Sequence, residues 1–308
     1  MTPRTRFAPS PTGLLHVGNA YSALQCRQWA ERHHAELLLR IEDIDATRCR
    51  PEYTDAILED LAWLGLSWKE PVRRQSEHAR DYAEALARLR DMGVIYPCFC
   101  TRSDIRREIE RMGSAPHAGE HAEHYPGTCR SLAIEQQQQR MWRDSYAWRL
   151  DAERALAIAG DMLSWQDGHG RQHPVHVGSD VIIGRKDIGF SYHLAVVVDD
   201  ALQGVTHVIR GEDLAGSTGI HRLLQALLNL PAPVYIHHGL LRDARGQRLA
   251  KRDRATTLRG LRQAGVTPAA LCDYLLRPDP RWPFTDHEQA ATSLALGSTA
   301  RLTHTTGR

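Results

Sequence analysis

A chain of 308 residues is long enough to bury a core in one large domain or two. Its 39 Lys and Arg against 37 Asp and Glu leave a formal charge of +2, which excludes bulk electrostatic binding to nucleic acid, so any RNA contact must come from a local patch. No apolar run approaches membrane length, the N-terminus lacks the order of a secretion signal, and six cysteines are too few for a disulfide scaffold; a reducing cytoplasm is the expected compartment.

The first informative stretch is Arg6-Phe7-Ala8-Pro9-Ser10-Pro11-Thr12-Gly13, followed shortly by His16-Val17-Gly18-Asn19. Phe7 and Ala8 end a short strand, and Pro9, Pro11 and Gly13 forbid regular structure after it. Ala20, Tyr21, Leu24 and Trp29 then recur at helical spacing, which places His16 at a helix mouth. A helix N-terminus presents N–H groups and partial positive charge to a phosphate chain. Gly18, without a Cβ, lets a ring or phosphate approach the backbone closely. Taken alone, a histidine here is more often a simple cap.

Glu36 to Ile41 reads as a buried strand of a parallel sheet. It runs into Glu42, Asp43 and Asp45, at the strand end where open α/β sheets bind ligands. Pro51 opens a helix carrying Ile57, Leu58, Leu61 and Leu64 and ending at Gly65. A second helix, Glu77 to Met92, buries Tyr82, Leu86 and Leu89.

Val94 to Cys100 is a strand ending in Cys98-Phe99-Cys100, and Ser103 caps a short basic helix to Met112. A loop-rich stretch follows, ending Tyr125-Pro126-Gly127-Thr128-Cys129. Cys98, Cys100 and Cys129 suggest a structural zinc site short of one ligand. The fourth is Tyr125 or one of His117, His121 and His124, and ligand chemistry alone favours histidine. Cys26, Cys49 and Cys272 sit in helical patterns and read as buried thiols.

Glu135 to Gln139 reads as an exposed helix, Tyr146 to Leu150 as a strand, and 167–173 as a hairpin tip. Further strands are expected at Asp180 to Gly184, His193 to Asp200, Val205 to Asp213 and Val234 to His238. Between the last two, Ser217 caps a leucine-rich helix. Alternating strands and helices predict an α/β fold with a Rossmann-type, doubly wound parallel sheet, interrupted by an insertion around the cysteines. Arg242 to Arg254 is a basic loop that includes Arg248, Lys251 and Arg252. Such runs are usually solvated faces, but after the last strand of a nucleotide-binding sheet one can close over phosphates. Two helices follow, the second capped by Thr267, and from Pro278 the chain turns polar and irregular, with a tail expected to be disordered.

Five of these pieces occur in the order seen in class I glutamyl-tRNA synthetases: Arg6 to Gly13, His16 to Gly18, Arg40 to Asp43, Val208 to Glu212 and Leu249 to Arg252. His16 to Asn19 resembles the family's "HIGH" signature, and Arg248 to Arg252 its "KMSKS" loop, with Ala250 in place of the serine. The resemblance runs from Arg6 to Leu276. It implies a catalytic domain over 1–95 and 175–255, a zinc-containing acceptor-type insertion over 96–174, a short helical part over 256–278 and a polar tail over 279–308. Full-length members carry a further large domain that reads the anticodon. The short run after the signature loop implies that this chain has none, which places it with a shortened branch of the family. That branch attaches glutamate to the queuosine base of the tRNA(Asp) anticodon.

The resemblance implies ATP, L-glutamate and queuosine-containing tRNA(Asp) as partners, Mg²⁺ with ATP, and no obligate protein partner. It assigns His16, Gly18, Asn19, Arg248 and Lys251 to ATP and the chemistry. It assigns Arg6, Phe7, Ala8, Pro9, Ser10, Glu42, Tyr192 and Arg210 to glutamate, and it moves the fourth zinc ligand to Tyr125, with Cys98, Cys100 and Cys129. Physically, glutamate's two carboxylates and ammonium ask for two cations and an acid. Two rival readings are a glutamate–tRNA ligase acting on the 3′ end and a small-molecule nucleotidyltransferase.

Overall fold

The computed structural model describes residues 2–101, 103–105, 125–187, 189–247, 249, 256–278 and 280–302, with the backbone alone for 296–302. The chain forms two compact units, one of Met1–Glu77, Val205–Ala215 and Tyr235–Arg308, the other of His78–Gly204 and Gly216–Val234.

The first unit is built on parallel strands. Arg4–Phe7 pairs with Glu36–Ile41, and that strand pairs with Lys69–Arg74, all parallel. His207–Gly211 lies on the other side of Arg4–Phe7 and is hydrogen-bonded in turn to Val234–His238. The Thr206 N–H donates to the Arg4 carbonyl at 3.0 Å, and the Cys26 thiol reaches the carbonyls of both Arg6 and Ile209 at 3.6 Å. Residues 206 and 209 thus pair off with 4 and 6 in the same sense, so His207–Gly211 runs parallel to the first strand. Burial pushes the Cys26 thiol up to about 12, which keeps it a donor between the strands.

Helix Val17–Arg32 packs on this sheet through Val17, Ala20, Ala23, Leu24 and Cys26. Its small residues allow the close approach, and each fully buried Leu or Ile of the layer contributes about 1.5–3 kcal/mol. Helix Pro51–Trp63 opens on its proline and is followed by Gly65 at φ +73°, where a side chain would be strained.

In the second unit Ile95–Cys98, Ala147–Leu150 and Val181–Gly184 form an antiparallel sheet in that order. Ser164–Gln166 and Gln172–Pro174 make a hairpin whose tip Asp167 closes, accepting from the amides of His169 and Arg171. Helix Ala79–Asp91 packs on Tyr192–Leu202, which also packs on Thr218–Leu227.

Five expectations are corrected. His193 to Asp200 is not a strand but part of helix Tyr192–Leu202, whose residues 194–200 are all buried. A run apolar on every face has no helical or strand periodicity to read. Asp199 in it is fully buried and accepts from the Tyr82 hydroxyl at 2.9 Å. Val181–Gly184 belongs to the antiparallel sheet, so the parallel sheet is smaller than expected. Ser217 precedes helix Thr218–Leu227 without a side-chain cap, because the 3₁₀ turn Glu212–Ser217 feeds straight into the helix. The polar stretch after Pro278 contains helix His287–Leu302, with Ala290 and Leu294 in the core beside the fully buried Trp282. Cys49, expected in a helix, lies half-buried in a loop. Among the described residues no helix is long and apolar enough to cross a membrane.

Candidate active site

The C-terminal ends of the parallel strands in the first unit carry the charged residues singled out from the sequence. Arg6 is 4% exposed near the end of Arg4–Phe7, Glu42 8% just beyond Glu36–Ile41, and Arg210 5% in His207–Gly211. Phe7 and Pro9 are buried, Ala8 is half-buried and Ser10 exposed. The Glu42 amide donates to the Pro9 carbonyl at 3.0 Å, which ties the proline loop to the neighbouring strand end.

Burying a guanidinium or a carboxylate is costly unless each is paired. Arg40, fully buried within the strand, meets Glu42 with Nη2 3.3 Å from Oε1. Arg210 donates from Nε to His237 Nε2 at 3.3 Å and lies 5.1 Å over the Tyr235 ring. Arg40 and His237 were not among the sequence-assigned site residues. The signal for Arg40 was available, since a cation inside Leu-Leu-Leu-Arg-Ile must have a partner; nothing in the sequence marked His237. Asp43 and Asp45 are engaged locally. Asp43 accepts from Ser76, and Asp45 accepts from Thr47 and pairs with Arg48 at 2.7 Å.

His16 is the N-cap of helix Val17–Arg32. Its Nδ1 accepts from the Gly18 amide at 3.1 Å, and Asn19 Oδ1 accepts from the His16 amide at 3.1 Å. This capping box makes Nε2 the protonated nitrogen of the neutral ring. A Cβ on Gly18 would stand 2.9 Å from the His16 ring, so the glycine makes room for His16 itself. His16 also forms an antiparallel bridge with Thr257, where the basic loop rejoins the fold. Arg248 and Lys251 lie outside the described residues, as do His117, His121 and His124.

Tyr192 belongs to the second unit, where it begins helix Tyr192–Leu202 and meets the rings of His193 and His221 edge-on at 5.5 and 5.6 Å. The same unit brings Cys98, Cys100 and Cys129 together, with all three sulfurs within 4.8 Å of one another. The Tyr125 hydroxyl lies 3.6 Å from Cys98 Sγ and 3.8 Å from Cys100 Sγ, and accepts from the Cys129 amide at 2.8 Å. Tetrahedral zinc with Zn–S near 2.3 Å separates its sulfurs by about 3.8 Å, so this donor set fits. The phenol oxygen keeps a second lone pair beyond its amide bond. Hydrogen bonds from Cys100 and Cys129 hold the Cys98 thiol well below its ordinary range, while the same shared network raises Cys100. Beneath the cluster, Arg149 lies 3.8 Å over the Tyr125 ring and donates to the Asp180 carbonyl at 2.9 Å.

Residues 3–294 match the family described as tRNA synthetases class I (E and Q), catalytic domain. Over 282 residues the chain is 44% identical to a Rhodobacter capsulatus protein named Glutamyl-Q tRNA(Asp) synthetase, covering 86% of this chain and 96% of that one. It is 37% identical over 283 residues to a Synechococcus Glutamate–tRNA ligase, covering 88% of this chain and 57% of the ligase. Among solved structures, a glutamate tRNA ligase from Elizabethkingia meningosepticum in complex with its amino acid superposes with a TM-score of 0.73 at 28% identity, covering 89% of this chain and 60% of that one.

Proposed function

The chain belongs to the class I tRNA synthetases (E and Q), and from that premise we propose that it activates L-glutamate with ATP and transfers it to queuosine in the anticodon of tRNA(Asp). The observation that carries this reading is the similarity to the Rhodobacter protein along almost that protein's whole length. In the first step the glutamate α-carboxylate attacks the α-phosphate of ATP, giving glutamyl-adenylate and releasing pyrophosphate. In the second a queuosine hydroxyl attacks the activated carbonyl and AMP leaves.

Arg6 and Arg210 meet the substrate carboxylates, and Glu42, held by Arg40, meets the ammonium. Phe7, Ala8, Pro9 and Ser10 shape the loop beside them, and the family resemblance adds Tyr192, which opens helix Tyr192–Leu202 of the second unit, to the glutamate-binding residues. His16, donating from Nε2, and Lys251 stabilise charge building on the phosphates. Magnesium enters with ATP as part of the substrate. Cys98, Cys100, Cys129 and Tyr125 would hold one structural zinc ion, which would cross-link strand Ile95–Cys98 to the Tyr125–Cys129 turn.

The test is labelled-glutamate transfer to tRNA(Asp) with and without queuosine, and to unmodified tRNA(Glu). Transfer to the queuosine-containing tRNA alone is the expected result. The likeness to the Synechococcus ligase supports a second reading, charging of a tRNA 3′ end. Transfer to tRNA(Glu) would establish it.

A further inference from the structure

Trp282 and His287 lie in the stretch that the sequence marks as a polar tail, yet both bond to the segment that touches His16. We propose that they are positioning residues for His16, acting through Thr256 and Thr257. This deepens the functional reading and rests on it for the role of His16.

The chain of contacts is short and continuous within the first unit. Thr257 bridges His16, the Val17 amide donates to the Thr256 carbonyl at 3.1 Å, and the Leu258 amide donates to the Leu15 carbonyl at 2.9 Å. So brief a ladder is not stable by itself. Two side chains hold its outer edge. Trp282 Nε1 donates to Thr256 Oγ1 at 3.1 Å, with Trp282 1% and Thr256 3% exposed. His287 Nε2 accepts from the Thr257 amide at 3.1 Å and lies 3.3 Å from Thr257 Oγ1. Because Nε2 accepts, the neutral His287 carries its proton on Nδ1. Gly260 is what admits His287: a Cβ there would stand 2.2 Å from Nε2.

The same segment holds the other end of the basic loop. Arg281–Trp282 pairs in parallel with Arg242–Asp243, the first residues of that loop, and Thr256–Thr257 comes just after its end. Trp282 is fixed in turn by edge-on contacts with Tyr274 and Phe284, at 5.7 and 4.9 Å. His16 Nδ1 is committed to Gly18, so the direction of its Nε2–H follows the backbone at 15–18. Anything that lets this backbone drift turns the donor away from the phosphates, and misplacement on the ångström scale costs rate steeply.

The test uses the full chain and four variants. Trp282→Phe removes the N–H and keeps the ring, Thr256→Val removes its acceptor, His287→Ala removes the acceptor for Thr257, and His287→Gln restores one. Glutamate-dependent ATP–pyrophosphate exchange per titrated active site should fall roughly 10- to 100-fold in kcat for the first three, with KM for ATP much less affected, and recover in His287→Gln. Amide hydrogen exchange should quicken at Val17 and Leu258 in the same three and stay slow in strand Glu36–Ile41. Unchanged kcat per active site, or amides that quicken across the whole unit together, would overturn the proposal. A wild-type chain with no glutamate-dependent exchange would instead overturn the functional reading, while Val17 and Leu258 alone decide the anchoring.

Discussion

The strand-end site of the first unit and the cysteine cluster of the second hold their reactive groups by opposite means. At the strand ends, charged side chains are fixed by regular backbone: Arg6 stands in a parallel ladder, Glu42 just beyond the end of one and Arg210 in the strand packed beside Arg4–Phe7, and Arg40 locks Glu42 from inside its own strand. At the cluster, a strand end and a turn are brought together by sulfur, phenol and amide contacts of 2.8–3.8 Å. The first arrangement draws its precision from a hydrophobic layer of many residues. The second has a small apolar cluster, with Tyr96 and Phe99 buried and Ile105, Leu132, Met141 and Tyr146 only partly so, and its order leans more on the polar groups and on what they bind. Perturbations of the two should therefore differ in kind.

The largest effect is expected at the cluster. Structural zinc binds with about 10–16 kcal/mol in small zinc-binding peptides, and that binding energy is folding energy. Metal analysis should find about one zinc per chain, by the three-thiol-plus-phenol donor set. Cys129→Ser should lower the zinc content and speed proteolysis of the second unit, while glutamate-dependent exchange survives. A wild-type protein that is metal-free and equally protected would show that the thiols and Tyr125 need no ion.

At the strand ends the losses should be smaller and should separate stability from chemistry. Arg40→Met leaves Glu42 buried without this cation, at about 3–5 kcal/mol, read as a fall in the urea midpoint. Arg210→Ala leaves a substrate carboxylate without its partner, at about 2–5 kcal/mol, which is a roughly thirtyfold to several-thousandfold loss in kcat/KM for glutamate. Its urea midpoint should move far less than that of Arg40→Met. If both variants lose stability equally, Arg210 is a structural cation and the glutamate assignment falls. Lys251→Ala comes next, with adenylate formation slowed about 10²–10³-fold and ATP affinity little changed. A raised KM for ATP with the first-order step intact would make Lys251 a binding group only.

What the sequence made legible follows from the same contrast. Glu42 and Arg210 could be placed because each ends an apolar run, and strand ends are where α/β sheets expose side chains, whereas Arg6 was assigned by the family resemblance alone. Cys98, Cys100 and Cys129 could be grouped because thiols near a turn have few other uses. His16 was legible as a helix mouth, but its capping box with Asn19 was not, since either residue has other roles at that position. The helix at Tyr192–Leu202 was misread because uniform burial erases periodicity. The C-terminal segment was misread because its order comes from Trp282, His287, Ala290 and Leu294, few anchors spread among polar residues. Sequence spacing reports faces, not single long-range contacts.

Asp60 tests the rule on which the strand-end site depends, that a buried charge needs a partner. It lies fully buried on helix Pro51–Trp63, and neither carboxylate oxygen has a hydrogen-bond partner among the described residues. Burial pushes its carboxyl up to about 6 from 3.8, against the pull of Arg262 and Arg259, which pair instead with Glu59. A raised acid in the folded state means that folding takes up a proton between the two values. The stability Asp60 confers is thus fully present below pH 3.8 and is lost as pH rises to about 6, in total about 3 kcal/mol. Asp60→Asn cannot titrate, so its urea midpoint should hold nearly level between about pH 4 and 6.5, the interval over which the wild type declines. The buried amide has its own cost, so the difference between the two pH profiles is the quantity to read, not the absolute midpoint. Parallel profiles would mean that the ionised Asp60 carboxylate is hydrated in place, and burial alone would then not be what makes Arg40 indispensable to Glu42.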